Sequence, residues 1–572
     1  MNDHTIALLE RHFDTAFTAP DGVKKLRELI LTLAMQGKLV PQDPKDDPAS
    51  ELLKQIEAEK ERLIREGKIK KSKPVPAIKP EEVPYDLPDS WEWVRIRNIC
   101  HEWGQKTPDS LFTYIDVGSI DNKLGVISDN TQVIESSDAP SRARKIVKLG
   151  TIIYSTVRPY LLNIAIVDRE FNPEPIASTA FAIIHPLHQV SNKLIYYYLR
   201  SPVFINYVET TMKGVAYPAI NDGDFFGGLF PLPPLAEQRR IVAKIDELMG
   251  RCDELEKLQR DRDRMRLDVH TAAIEQLLKA KQDTDFNTAW SFLSQNFNEL
   301  YAVKENVAEL RKAILQLAVM GKLVPQDSND EPASELLEKL RRARLDLYES
   351  NNKNNPEIIT MIRKLNKLSL PVTAPFELPK TWIAVHLLEC CEYLVDCHNK
   401  TATYQELGIP IIRTTNIRDR QIRYQDMKYV GYSTYEFWAR RCPPLSGDII
   451  FTREAPMGEA AIIPKGMTCC LGQRTMLIRP MHKFICNKYL LIALTEPHLL
   501  ERASSEAIGS TVKHLRVGDV EELSIPLPPL AEQRRIVAKI DKLMALCDEL
   551  DRAIEAATNQ QTALLDAVMA KL

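Results

Sequence analysis

The sequence predicts an α+β fold: two globular α/β domains joined by two long antiparallel, coiled-coil-like helices, in a pseudo-two-fold, cyclic arrangement. Three observations predict it. The chain is written twice, a long helical run follows each copy of one block, and the intervening stretches hold short β-branched runs cut by turn residues.

The repeat comes first. PLPPLAEQRRIVAKIDELM at 231–249 returns as PLPPLAEQRRIVAKIDKLM at 526–544, with 18 of 19 positions identical. LAMQGKLVPQDPKDDPASELL at 33–53 returns at 317–337 with 16 of 21 identical. LPDSWEWVRI at 87–96 is echoed by LPKTWIAVHL at 378–387, and GTIIYSTVRPYLLNIAIV at 150–167 faintly by GDIIFTREAPMGEAAII at 447–463. Two copies are too few for a solenoid, so one scaffold presenting two different surfaces is expected.

The helices come next. Pro233–Pro234 and Pro528–Pro529 can each open a helix. Apolar or small residues then recur at Ile536, Ile540, Leu543, Cys547, Leu550, Ile554, Ala557, Leu564 and Val568, with Gln561 the polar exception. That 4-and-3 alternation matches a coiled-coil seam. The first copy begins alike, with Ile241, Ile245, Leu248, Cys252 and Leu255, and then meets Gln259, Arg262 and Arg266. As one helix, 236–280 would be ~68 Å long, which calls for a partner helix; an amphipathic helix packed on its own domain is the alternative. The glycine of each GKLVPQD suits a helix end. The closing ALLDAVMAKL resembles the helix before that glycine, so the termini are expected close together.

The domain boundaries follow: a helical segment at 1–60, a proline-rich linker at 61–86, a first variable domain at 87–230, a central helical region at 231–345, a linker at 346–377, a second variable domain at 378–525, and a closing helix at 526–572. TIIYSTV, FAIIHP, DIIFT and TMLIRP are the strand candidates.

Composition bounds the function. Hydrophobic residues make 44% of the chain and charged ones 27%, ordinary for a globular protein. No run is long enough to span a bilayer and no signal peptide opens the chain, so no membrane role and a cytoplasmic location are expected. The net charge of −3 does not by itself suggest nucleic acid. Cys390, Cys391 and Cys397 with His398, and Cys469 with Cys470, lack zinc-site spacing and read as reduced cysteines. There is no phosphate loop for ATP and no glycine-rich cofactor loop with an NPPY-like segment. Asp109, Asp121 and Lys123 match a nuclease carboxylate pattern only formally. No catalytic, cofactor-binding or metal residue is therefore expected.

Binding chemistry is present. IIRTTNIRDRQIRYQDMKYVGYSTYEFWARR at 411–441 carries seven basic residues against three acidic ones, with six aromatics interleaved. Arginine can read guanine bidentately, asparagine can read adenine, and basic residues also hold phosphates. Arg413, Asn416, Arg418, Arg420, Arg423 and Arg440 are the candidates there, with Arg453 beyond. The first domain offers Asn122, Lys123, Arg142, Arg144, Lys145, Arg158 and Tyr160. Near the domain ends, Lys213 with Tyr217 corresponds to Lys513 with His514. A solvated charged face is the plain alternative for the 411–441 run.

The paired PLPPLAEQRRIVAKID, GKLVPQD…PASELL and LPDSW/LPKTW blocks resemble the specificity (S) subunits of type I restriction–modification systems, over nearly the whole chain. The resemblance implies that each variable domain is a target recognition domain for double-stranded DNA, reading one half of a split, asymmetric site. It implies that the long helices fix the unread spacer. It also implies two methyltransferase (M) subunits using S-adenosylmethionine, and restriction/translocase (R) subunits using ATP and Mg2+, with no cofactor in this chain. The full GKLVPQD segment before the first recognition domain departs from the expected order, as if circularly permuted. A nuclease with fused recognition domains and a coiled-coil adaptor without a DNA role are the competing readings; salt-dependent DNA binding separates the adaptor from the rest.

Overall fold

The computed structural model describes residues 13, 17–70, 76–214, 216–350, 355–398, 400–497, 499, 501 and 514–570. Helices and sheets are both present in each of two compact units, so the fold is α+β. The first unit comprises residues 1–262 and 557–572, the second 263–556. Six helices frame them: α1 (Gly22–Met35), α2 (Ala49–Arg65), α3 (Leu235–Lys279), α4 (Lys304–Val319), α5 (Ala333–Ser350) and α6 (Leu530–Met569). The 45-residue α3 matches the length read from sequence. It starts in the first unit and ends in the second; α6 does the reverse.

The first unit's strands are β1 (Glu92–Arg95), β2 (Cys100–His101), β3 (Phe112–Ile115), β4 (Ile120–Asp121), β5 (Val126–Ile127), β6 (Gln132–Ile134), β7 (Ala143–Ile146), β8 (Ile152–Ser155), β9 (Ile164–Ile166), β10 (Pro175–Ser178), β11 (Phe181–Pro186) and β12 (Leu229–Leu232). Two four-stranded sheets, in the orders β2-β11-β8-β9 and β6-β3-β10-β7, enclose the core, and β4 pairs with β5 as a hairpin. The LPDSW strand β1 pairs antiparallel with the PLPP strand β12, Trp93 opposite Pro231, so both ends of the domain are tied together.

The second unit's strands are β13 (Ile383–His386), β14 (Cys391–Asp396), β15 (Ile409–Ile412), β16 (Ile417–Arg418), β17 (Gln421–Ile422), β18 (Lys428–Val430), β19 (Ile449–Thr452), β20 (Ala460–Ile462), β21 (Cys470–Leu471), β22 (Thr475–Pro480) and β23 (Ser524–Leu527). The orders β14-β22-β19-β20, β18-β15-β21, β16-β17 and β13-β23 repeat those of the first unit, apart from a counterpart of β7. Each unit has one parallel pair, β10 on β3 in the β6-β3-β10-β7 sheet and β21 on β15 in the β18-β15-β21 sheet.

The three repeated sequence blocks meet at one point in each unit. The buried Glu237 of α3 accepts hydrogen bonds from the Trp91 indole N–H (2.9 Å) and the Gln42 amide (2.5 Å), while Arg240 pairs with Asp46 at 2.6 Å. Glu532 of α6 does the same with Trp382 (2.9 Å) and Gln326 (2.6 Å), and Arg535 with Asp330 (2.7 Å). The next residue completes each junction. Gln238 donates to Pro233 O and accepts from Ser191 N; Gln533 donates to Pro528 O and accepts from Cys486 N. Burial pushes both glutamate carboxyls above their ordinary range, opposed by the bonds from Trp and Gln. Gly37 (φ 67°) and Gly321 (φ 70°) end their helices left-handed, and the rings of Pro88 and Pro379 occupy the place a Cβ would take. The near-identity of these blocks is thus a packing requirement: each variable domain is clamped to the start of a long helix.

The seam residues go partly elsewhere than expected. Ile241, Ile245 and Cys252 share the first unit's own core with α1 residues such as Ile30 and Ala34. Ile536, Ile540 and Cys547 share the second unit's core with Ile314 and Ala318 of α4. In the last turns of α6, Leu565 and Val568 are buried rather than Leu564, and Ala557 is exposed. Leu565, near the end of α6, shares a buried cluster with Phe17, Ala19 and Leu29. The charged stretches beginning SELLKQ and SELLEK are helical, as α2 to Arg65 and α5 to Ser350, a few residues past the expected boundaries at 60 and 345; within the expected linker at 346–377, Pro356–Leu365 forms a further helix burying Ile358 and Met361.

Candidate nucleic-acid interface

In the first variable domain the structure brings three separate sequence stretches together. Asp121 Oδ1 accepts from the backbone N of Lys123 and of Leu124 (3.0 Å each), shaping the β4–β5 turn. Asn122 Nδ2 donates to Leu161 O at 3.0 Å, joining this turn to the loop after β8. There Arg158 adopts a left-handed φ of 48°, and its N donates to Pro218 O at 2.8 Å. Its guanidinium lies 5.1 Å from the centre of the Tyr217 ring, a cation–π stack. Tyr160 (44% exposed), Tyr217 (71%), Lys123 and Lys213 stand open beside it, Lys213 3.7 Å from Asp224. A left-handed non-glycine residue is uncommon, and this one holds an exposed arginine on an exposed tyrosine.

The Ser141–Lys145 run divides. Arg142 is exposed, and its carbonyl accepts from Thr179 N at 2.8 Å. Arg144 is tied to Ser141 O and the Thr107 hydroxyl. Lys145 is removed from the candidate interface: it is 4% exposed and held by Glu102 (2.8 Å) and Asp222 (3.6 Å). β7 alternates its side chains, and Lys145 falls on the inward face with Ala143.

In the second domain, Asn416 is a correction. It is 1% exposed and works as the centre of the 413–426 loop. Its Oδ1 accepts from Arg413 N and Nε, and its Nδ2 donates to Arg423 O (3.3 Å) and Gln425 O (3.2 Å). It cannot reach a base. Arg413 donates to Asp426 O at 2.6 Å, and Arg418 to Thr414 O at 2.8 Å. Arg423 remains exposed with Asp419 at 2.6 Å. Arg413, Arg418 and Arg423 line one shallow pocket. Arg420, at φ 65°, is half-buried, and burial pulls its guanidinium pKa down, with Arg311 acting in the same direction and Asp419 against. Arg453 donates to Leu515 O at 3.2 Å, beside the half-buried His514. Lys513 lies outside the described residues. Arg440 stands apart, stacked 4.0 Å over Phe437.

Sequence reasoning passed over Leu124, 72% exposed at the first hairpin turn, and Tyr424, 65% exposed in the 413–426 loop. An apolar side chain inside a polar turn was the available signal. The formal nuclease pattern finds no support in placement: Asp109 is solvent-facing beside Lys106, and Asp121 serves its own turn. Nine of the ten cysteines are buried. Among the described residues no cluster of His, Cys, Asp or Glu is suited to hold a metal ion, and no helix is long and apolar enough to cross a membrane.

The family described as the type I restriction modification DNA specificity domain matches residues 88–262 and 379–560, once for each recognition domain. The chain belongs to this family. It is similar to the type I restriction enzyme EcoAI specificity subunit of Escherichia coli, 32% identical over 96% of this chain and 93% of that one. It is also similar to the EcoEI specificity subunit of Escherichia coli, 29% identical with the same coverage. Among solved structures, the HsdS subunit from Thermoanaerobacter tengcongensis is 25% identical with a TM-score of 0.44, covering 85% of this chain and 98% of that chain. As a specificity subunit the chain is non-catalytic and supplies DNA sequence specificity to a restriction–modification system.

Proposed function

We propose that this specificity subunit reads a bipartite, asymmetric DNA site, one half with each recognition domain. The carrying observation is that the two domains share their clamp residue for residue and, apart from β7, their strand order, while the side chains on their matching loops differ. The turn at Asp116–Ser119 in the first domain is Arg413–Asn416 in the second. The loop holding Arg158 at φ 48° holds Ala455 at φ 50°. One scaffold with two chemistries is what two unlike half-sites require.

The long helices serve as the spacer, pairing antiparallel as a coiled coil in a pseudo-two-fold, cyclic assembly. That each starts in one unit and ends in the other supports this reading. Two modification subunits bind this scaffold and use S-adenosylmethionine to methylate adenine; restriction subunits supply ATP-driven translocation and Mg2+-dependent cleavage. The test is footprinting of the assembled complex on random-sequence duplex libraries. Two conserved blocks of different sequence, separated by a fixed unread gap, are expected. A single continuous block would overturn the bipartite reading.

A further inference from the structure

The two units match at their clamps and differ beside them. In the second unit the α5 cation Arg344 is buried and donates to Glu389 O (2.8 Å). The Glu389 carboxylate, 4% exposed, takes the neighbouring Arg341, and Leu388 beside it is fully buried. The first unit places Lys60 where Arg344 stands, Arg97 where Leu388 stands, and Asn98 where Glu389 stands. A carboxylate has gone and a cation has come.

The result is an open basic pocket of about 420 Å3, lined by Lys60, Lys68, Lys70, Arg97, His101 and Trp103 among others. Lys60 Nζ donates to the carbonyl of Arg97 (2.8 Å), and among the described residues no carboxylate pairs with it. Burial lowers the pKa of this ammonium, and the Arg97 charge acts in the same direction, against Cys100 and Glu57. Lys68 pairs with Glu66, while Arg97 lies over the Phe226 ring and Lys70 is exposed. The lining carboxylate, Glu102, is already taken by Lys145. Cations gathered in a half-buried pocket, with Lys60 and Arg97 in no ion pair among the described residues, are stabilised when an anion joins them. The pocket wall continues into β7, the strand that carries Arg144: Gln105 forms a β-bridge with Lys145, and Lys106 N donates to Arg144 O at 2.9 Å.

We propose that this pocket takes a phosphate of the DNA backbone, anchoring the duplex beside the first recognition domain. The proposal rests on the DNA-reading function above. It gives the end of α2 and the basic residues after it a role that the second unit lacks. A phosphate anchor carries no sequence information, so its removal weakens all duplexes alike and reduces the salt dependence.

The test uses the full chain with its modification subunits. Binding to cognate and scrambled duplexes is measured from low to high salt for wild type, K68A/K70A and R97L/N98E, the last restoring the second unit's residues. The expected result is several-fold weaker binding to both duplexes and a log–log salt slope smaller by about 1 for each phosphate no longer neutralised. Unchanged affinity and slope in both variants, with cognate preference intact, would overturn the phosphate site alone. Absence of any cognate preference in wild type would instead overturn the reading of function. Calorimetric titration with AMP and inorganic phosphate separates the sources: saturable binding of either, abolished in both variants without change in DNA affinity, would reassign the pocket to a free phosphate ester.

Discussion

Arg158 is held by its backbone before any DNA arrives: a left-handed φ, a bond from its N to Pro218 O, and a ring beneath its guanidinium. A preorganised arginine loses little freedom on binding, and a bidentate base contact is worth about 1–3 kcal/mol of discrimination. R158A is expected to relax recognition at one or two base pairs of a single half-site, read by competition with single-substitution duplexes. Equal losses in both halves would contradict the assignment. Asn416 makes the opposite case. Its removal leaves buried partners unsatisfied, at about 1–3 kcal/mol, so N416A should lower the denaturant midpoint and disturb only the other half-site. The sequence showed both residues as polar candidates and could not separate them. Asn416 and Lys145 were chosen for chemistry that the fold spends internally, because a charge on the inward face of a strand reads as solvated until its partners, here Glu102 and Asp222, are seen.

At the scale of elements, the clamp was written in the sequence as three repeated blocks, but their meeting was not. Nothing along the chain says that Gln42, Trp91 and Glu237 touch; only the fold closes separations of that length. The strand orders were equally hidden, since β2, β4 and β5 are two residues each and carry no periodicity. The helices were legible, α3 to within a residue, because their period and proline starts are local. E237A should cost about 1–3 kcal/mol, and E532A a similar amount, measured by denaturant unfolding. Both carboxyls sit above the ordinary 4.5. Between that value and the raised folded value the folded chain binds the extra proton. Stability contributed by these groups is therefore greatest at low pH and falls as pH rises through that window, then levels. The E237Q/E532Q double variant should lack this component, and an unaltered stability-against-pH curve would contradict the clamp electrostatics.

For the whole molecule, α3 and α6 each belong to both units, so their length is available to set a distance on DNA. Deleting seven residues from the middle of each removes ~10.5 Å of rise, or about three base pairs at the duplex repeat. The gap between recognised blocks should shrink accordingly, and an unchanged gap would refute the spacer role. The duplication was plain in the sequence and carries most of the functional reading; the partners of this subunit are legible only through its family. The central claim, that one scaffold reads two unlike half-sites for a methylating complex, is tested most directly by single-molecule methylome sequencing. Hosts expressing the modification subunit with and without this chain are compared. A bipartite, adenine-methylated motif with two different halves, present only with the chain, is the expected result. Methylation that is the same in both hosts, with the modification subunit active, would contradict it.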